Sequence, residues 1–285
     1  MKLNRFVSPL RYPGGKSKLA YYVLAVIESN GLIGGHYIEP FAGGAGVALQ
    51  LLLSGKVNSI HINDFDPAVY AFWKSCTDFS EQLCDLIENT PINMDEWYKQ
   101  REIINQDSLE LNTLDLGFAA FFMNRANRSG ILKAGVIGGL QQSGRWKLDA
   151  RFNKEELIKR IIAIAEFKDS ITVTNKDAVM LLEGLGSLDN KTLMYLDPPY
   201  YVKGQGLYRN FYEHSDHIEI AEQLKGIKNI HWIVSYDNSP AILDMYSDFR
   251  SEIFDLQYTA QQKRVGSEIM IYGDNVKIPA IKLGK

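Results

Sequence analysis

Apolar residues Leu19, Tyr22, Val23, Val26 and Ile27 recur at helical spacing, and Gly31 stands where a helix over 16–30 would stop. Beyond it the period changes repeatedly. Residues 37–41 have the pattern of a short buried strand running into a glycine turn, and 47–53 that of a helix. Ile60 and Ile62 mark a second strand ending at Asn63-Asp64. Residues 171–174, 192–196 and 231–235 predict central strands, with helical stretches near 178–185, 218–224 and 241–246. Strands alternating with helices imply βαβ units and a mostly parallel sheet, so the expected class is α/β. Two further strands, 250–256 and 268–272, are expected around a polar loop.

Residues 72–167 break this rhythm. They carry helical periodicity at both ends, with a glycine-rich, basic stretch between. The expected organisation is an α/β domain from 1–71 and 168–285, with a mostly helical domain inserted at 72–167. Composition leaves no case for a disordered or fibrous chain: 46% of residues are hydrophobic and 23% charged. Charge is unevenly spread. From Asn124 to Arg160 there are nine Lys or Arg against three Asp or Glu, a net of +6 in a chain of −3. Between Asn124 and Leu148 there is no acid at all. The two cysteines, Cys76 and Cys84, form neither a Cys-x-x-Cys pair nor a secreted framework, which points to a reducing compartment. The first residues lack a signal-peptide apolar core, and no run approaches about 18 apolar residues. A cytoplasmic chain with no membrane partner is expected.

Three stretches carry chemistry. Glu39-Pro40-Phe41-Ala42-Gly43-Gly44-Ala45-Gly46 lies between a strand and a helix, where glycines let backbone approach a ligand and the helix start favours an anion. It lacks the Gly-x-Gly-x-x-Gly spacing of a nicotinamide site. Asp64 ends the second strand, where doubly wound folds place an acid on ribose hydroxyls, and Asp66 is the better cap for the helix after it. Leu196-Asp197-Pro198-Pro199-Tyr200 ends a central strand. Two prolines cannot continue the ladder, so the chain forms a rigid hook presenting a carboxylate, a freed proline carbonyl and an aromatic ring. Two acceptors suit an aromatic amino group, and the ring suits stacking on its base. His214-x-x-His217 beside Asp216 lacks a third ligand and is read as helix cap and surface, so no metal is expected. Tyr201, Tyr208, Phe211 and Tyr212 interleave with Lys203 and Arg209, a composition suited to a base-stacking lid.

With Arg11-Tyr12-Pro13-Gly14-Gly15-Lys16, the glycine turn and the Asp-Pro-Pro-Tyr hook resemble motifs X, I and IV of the Dam-type (alpha-group) DNA adenine-N6 methyltransferases. The similarity extends to Ile62-Asn63-Asp64, Phe122-Met123-Asn124-Arg125, Ser235-Tyr236-Asp237-Asn238 and Ser267-Glu268-Ile269-Met270-Ile271, and so covers most of the chain. The resemblance implies a class I, Rossmann-like S-adenosyl-L-methionine-dependent sheet with an inserted target-recognition domain. It places Tyr12, Lys16, Glu39, Phe41, Gly43, Asp64 and Asp177 around the cofactor. For Asp177, capping the following helix is an equal alternative. It assigns Asp197, Pro198, Pro199 and Tyr200 to catalysis, without a metal. Arg125, Arg128, Lys133, Arg145 and Lys147 are expected on DNA phosphates, with Asn124 or Arg125 nearer base edges.

The implied activity is site-specific methylation of a flipped-out adenine in double-stranded DNA, in a prokaryotic or phage context that admits a cognate restriction enzyme. After Asn124-Arg125 the chain departs from the Dam pattern, so the resemblance does not extend to a GATC target. Two alternatives stand: a methyltransferase of another acceptor (cytosine N4, RNA adenine or a protein amide), and a non-catalytic nucleic-acid-binding module on the same fold.

Overall fold

The computed structural model describes residues 7–11, 19–106, 111–201, 212–258, 264–281 and 283. The helices are α1 (Ala20–Ser29), α2 (Gly46–Leu53), α3 (Pro67–Asp78), α4 (Ser80–Asn89), α5 (Met94–Asn105), α6 (Thr113–Ala126), α7 (Lys154–Ala165), α8 (Ala178–Glu183), α9 (His214–Gly226) and α10 (Pro240–Met245). The strands are β1 (His36–Glu39), β2 (Ser59–Asn63), β3 (Ile171–Thr174), β4 (Thr192–Leu196), β5 (His231–Asp237), β6 (Arg250–Tyr258) and β7 (Arg264–Tyr272). As far as it is described, the chain divides into two units, Lys16–Phe65 with Thr174–Lys285 and Phe6–Gly15 with Asp66–Val173.

These divisions fall at 65/66 and 173/174, a few residues from the expected boundaries at 71/72 and 167/168. Asp66 accepts from the Ala68 amide at 2.9 Å and Pro67 takes the first helical position, so α3 begins before Phe72 and packs with α6. Residues 7–11 also belong to the second unit. The Arg11 backbone exchanges hydrogen bonds with the Asn124 side-chain amide, and Arg160 Nη1 donates to the Ser8 carbonyl at 3.1 Å.

The first unit carries the strand order β2-β1-β4-β5-β7-β6, and the division between the units falls within β3, at Thr174. Strand β1 pairs parallel to β2 and β4, β4 parallel to β5, and β7 runs antiparallel between β5 and β6. From β1 the chain moves outward to β2, then returns to place β4 on the other side of β1. That reversal is a topological switch point, where open α/β sheets bind ligands at the carboxyl ends of their strands. Ile38, Met194, Leu196, Trp232, Val234, Tyr236, Ile269 and Ile271 form a buried core with residues of α8, α9 and α10. By the two-residue pleat, Tyr37, Glu39, Tyr195, Asp197, Ser235, Asp237 and Glu268 fall on the opposite face. Helix α1 meets that face through the Tyr22 and Tyr272 hydroxyls, 2.5 Å apart.

The second unit is helical. Helix α6 is buried on nearly every side from Leu116 to Met123, so it shows little of the periodicity that marks an amphipathic helix. Gly117 lets it lie close to α3, since a Cβ there would sit 2.3 Å from Ser75 Oγ. From 127 to 153 side-chain amides hold the path. Asn127 donates to the carbonyls of Ile131 and Leu132, and Gln142 to those of Ile137 and Gly139. Trp97 Nε1 in turn donates to Asn127 Oδ1 at 2.8 Å. Among the described residues, no helix is long and apolar enough to cross a membrane.

Candidate functional site

In the α/β unit, the loops after β1 and β2 and the segment after β3 are tied by one buried side chain. Asn63 Nδ2 donates to the carbonyls of Pro40 (2.9 Å) and Lys176 (3.0 Å), while its Oδ1 accepts from Thr174 Oγ1 and the Lys176 amide. Next to it, Asp64 Oδ2 accepts from the Gly43 amide at 2.8 Å. Asp64 is therefore joined to the glycine turn, while Asp66 is the cap. Gly43 and Ala45 both have φ of +45°, a left-handed conformation that strains alanine and is typical of tight functional turns. Asp177 caps α8 by accepting from the Val179 amide at 2.9 Å. The Phe41 and Tyr212 rings meet edge to face at 5.7 Å. Burial, then the negative charges of Asp177, Asp216 and Asp64, push the Tyr212 phenol up. Phe41, Asp64, Asp177 and Tyr212 thus form one neighbourhood, an aromatic patch bordered by carboxylates.

The hook follows β4. Asp197 Oδ1 accepts from Ser235 Oγ at 3.0 Å, and Ser235 Oγ lies 2.8 Å from the Tyr195 hydroxyl. The Tyr200 hydroxyl donates to buried Glu268 at 2.5 Å, and the Tyr201 amide to Asp237 at 2.8 Å. Strands β5 and β7 therefore hold the hook. Ser235, Asp237 and Glu268 all lie in segments that carry the family resemblance, but the sequence assigned them no role. Tyr12 and Lys16 lie outside the described residues, as do Lys203, Tyr208, Arg209 and Phe211 of the expected lid. His214 and His217 face tyrosines: Nδ1 of His214 is 2.9 Å from the Tyr201 hydroxyl, and Nδ1 of His217 is 3.0 Å from that of Tyr236. Glu213 and Asp216 form the capping box that starts α9.

In the second unit the expected DNA-contacting residues separate into two sets. Asn124 is buried, donating to the carbonyls of Arg11 (2.7 Å) and Gly130 (2.8 Å) and accepting from the Arg11 amide (2.7 Å). Its amide is engaged with the backbone at both ends, while the base-edge role expected of it is a separate matter of DNA contact. Arg125 is half-buried and donates to the Arg151 and Pro9 carbonyls. Burial, then the neighbouring charges of Arg11, Arg160 and Arg151, work against its cationic form. Arg128, Lys133, Arg145 and Lys147 are exposed. Beside them Trp146 is 62% and Leu140 60% exposed, and the Arg145 guanidinium lies 5.3 Å from the Trp146 ring centre. Sequence reading passed over Trp146, although its signal is present as an aromatic between two cations.

Glu39 is a buried, strongly perturbed carboxyl of the α/β site. It accepts from the Tyr37 hydroxyl (3.1 Å) and the Ala48 amide (3.0 Å). Even so, burial pushes its pKa up to about 8, and the Asp197 charge adds to that shift. Such an acid binds more protons folded than unfolded, so its contribution to stability is full below the ordinary value of 4.5 and declines as pH rises to about 8. Glu39→Gln should therefore flatten the fall of the thermal midpoint between about pH 5 and 8 relative to the parent, measured without ligand. Parallel curves for the two proteins would contradict this.

Residues 12–261 match the family model of the D12 class N6 adenine-specific DNA methyltransferases. Over 207 residues, the chain is 23% identical to the Type II methyltransferase M.MjaIII of Methanocaldococcus jannaschii, covering 67% of this chain and 68% of that protein. A solved structure, the precorrin-6y C5,15-methyltransferase of Geobacter metallireducens, aligns over 90% of this chain and 87% of its own at 10% identity. Its TM-score is 0.37. With the family model spanning most of the chain, the switch-point hook and glycine turn acquire an identity: this chain belongs to the D12 class N6 adenine-specific DNA methyltransferases.

Proposed function

We propose that the hook receives an adenine flipped out of double-stranded DNA and that its residues prepare N6 for methylation. The observation that carries this is the Asp197 carboxylate directly after β4, held by Ser235. Flipping the base out of the duplex costs a few kcal/mol. The Tyr200 ring stacks on the base, and its bond to Glu268 sets the ring's orientation. Asp197 and the Pro198 carbonyl accept the two N6 protons as hydrogen-bond partners, and Pro199 stiffens the turn. Acceptance of both protons raises the availability of the nitrogen lone pair and stabilises positive charge developing on nitrogen.

S-adenosyl-L-methionine, when bound, supplies a methyl group already activated on a sulfonium. Phe41, Gly43, Asp64 and Asp177 suit its adenosine, with Asp64 on the ribose hydroxyls, and buried Glu39 suits a cation. Tyr12 and Lys16 are assigned to it by resemblance alone. In the helical unit, Arg128, Lys133, Arg145 and Lys147 neutralise phosphates, Trp146 offers a face for base stacking, and Arg125 reinforces the positive field. The protein is placed in a prokaryotic or phage-infected cytoplasm, in keeping with two free cysteines.

Asp197→Ala should abolish methyl transfer in single-turnover assays while the calorimetric Kd for S-adenosyl-L-methionine stays within about threefold of the parent. Loss of cofactor affinity in proportion to rate would show that Asp197 serves the cofactor instead of the base. Replacing Arg128, Lys133 and Lys147 together with glutamine should weaken binding to any duplex sequence. It should also flatten the slope of log K against log salt by about one unit for each phosphate no longer neutralised. An unchanged slope would remove this segment from the DNA-facing surface.

A further inference from the structure

We infer that Ser235, backed by Tyr195, is a positioning residue for methyl transfer: a hydroxyl chain Tyr195–Ser235–Asp197 fixes the rotation of the carboxylate that meets the adenine amine. This rests on the proposed role of Asp197 and extends it to two residues that touch neither base nor cofactor.

Register brings the three groups together. Leu196 of β4 lies opposite Val234 of β5, so the next step sets Asp197 beside Ser235, and Tyr195 shares their face two residues back. Proton accounting then gives the chain a direction. Ser235 has one hydroxyl proton, donated to Asp197 Oδ1 at 3.0 Å. The hydrogen bond of 2.8 Å between Ser235 and Tyr195 must therefore be donated by the tyrosine. Burial, followed by the charge of Asp197, holds the Tyr195 phenol well above its ordinary value, so the proton stays on it. Ser235 is fully buried and Tyr195 nearly so, which screens this oxygen pair from bulk solvent. Each donation polarises the next, so the bond at Asp197 is stronger than an isolated serine would make. A carboxylate otherwise rotates broadly about its terminal torsion, and an acceptor that swings cannot keep an amine aligned for transfer.

The test separates positioning from packing by a double-mutant cycle on the full-length protein. Ser235→Ala, Tyr195→Phe and the double variant are compared for single-turnover methylation of duplex DNA, thermal midpoint, and Kd for S-adenosyl-L-methionine and DNA. Ser235→Ala strands a buried tyrosine hydroxyl and should melt lowest. The double variant removes both polar groups and should regain much of that midpoint. Rate should not follow. Ser235→Ala should slow transfer about tenfold, from the loss of a bond to a charged group, and Tyr195→Phe by a smaller factor. The double variant should be as slow as Ser235→Ala, because the tyrosine acts only through the serine. Both dissociation constants should stay near parental values. Recovery of rate together with melting temperature in the double variant would show a structural role alone and overturn the proposal. So would a parental rate for Ser235→Ala, given that Asp197→Ala is inactive. If Asp197→Ala itself kept transfer, the reading of the hook would fail first.

Discussion

The ladder of β4 stops at Leu196 because Pro198 and Pro199 have no amide protons to continue it. The rest of the α/β site depends on that stop. Strand β5 is not interrupted; it runs three residues past the partner of Leu196, to Asp237, and β7 stays paired with it as far as Glu268. The overhang places Ser235, Asp237 and Glu268 beside a chain that has left the sheet, and each takes one polar group of the hook. Asp197, Tyr200 and the Tyr201 amide are held by three side chains from two strands. An early end to one strand thus becomes a rigid acceptor site at the switch point of the sheet.

The site gathers carboxyl groups in a buried setting, with Glu39, Asp197, Asp237 and Glu268 on one face of adjacent strands. Unpaired, such a group is costly, and the raised pKa of Glu39 is the measure of that cost. A cationic ligand would lower it. The helical unit shows the opposite electrostatics by different means. Its amide side chains are buried and hold an irregular backbone in place, while its cations and Trp146 face solvent. An acceptor-rich edge suits an amine and a sulfonium, and an exposed cationic loop suits phosphate.

Most of the α/β unit was legible because its strands are short, apolar and separated by punctuation that physics constrains: glycine after β1, prolines after β4. Strands β2, β3 and β4 ended where the pattern predicted, and β5 continued to Asp237. The expected 218–224 helix is longer, His214–Gly226, because a capping box starts it at Glu213. Helix α6 was hard to see because it is apolar on all sides. The boundary of the inserted unit was displaced because a cap and a proline start α3 before its periodicity becomes clear. Asp64, Asp197 and Tyr200 were readable as chemistry, yet their holders were not. Glu268 lies 68 residues from Tyr200, and only sheet order makes them neighbours. Asn124 shows the related limit: sequence shows an amide but not the carbonyls that occupy it.

The most direct test is to incubate the protein with unmethylated duplex DNA and S-adenosyl-L-methionine labelled in its methyl group, then digest the product to nucleosides. Label should appear in N6-methyl-2′-deoxyadenosine. Label in N4-methyl-2′-deoxycytidine, or in RNA and not DNA under the same conditions, would contradict the account.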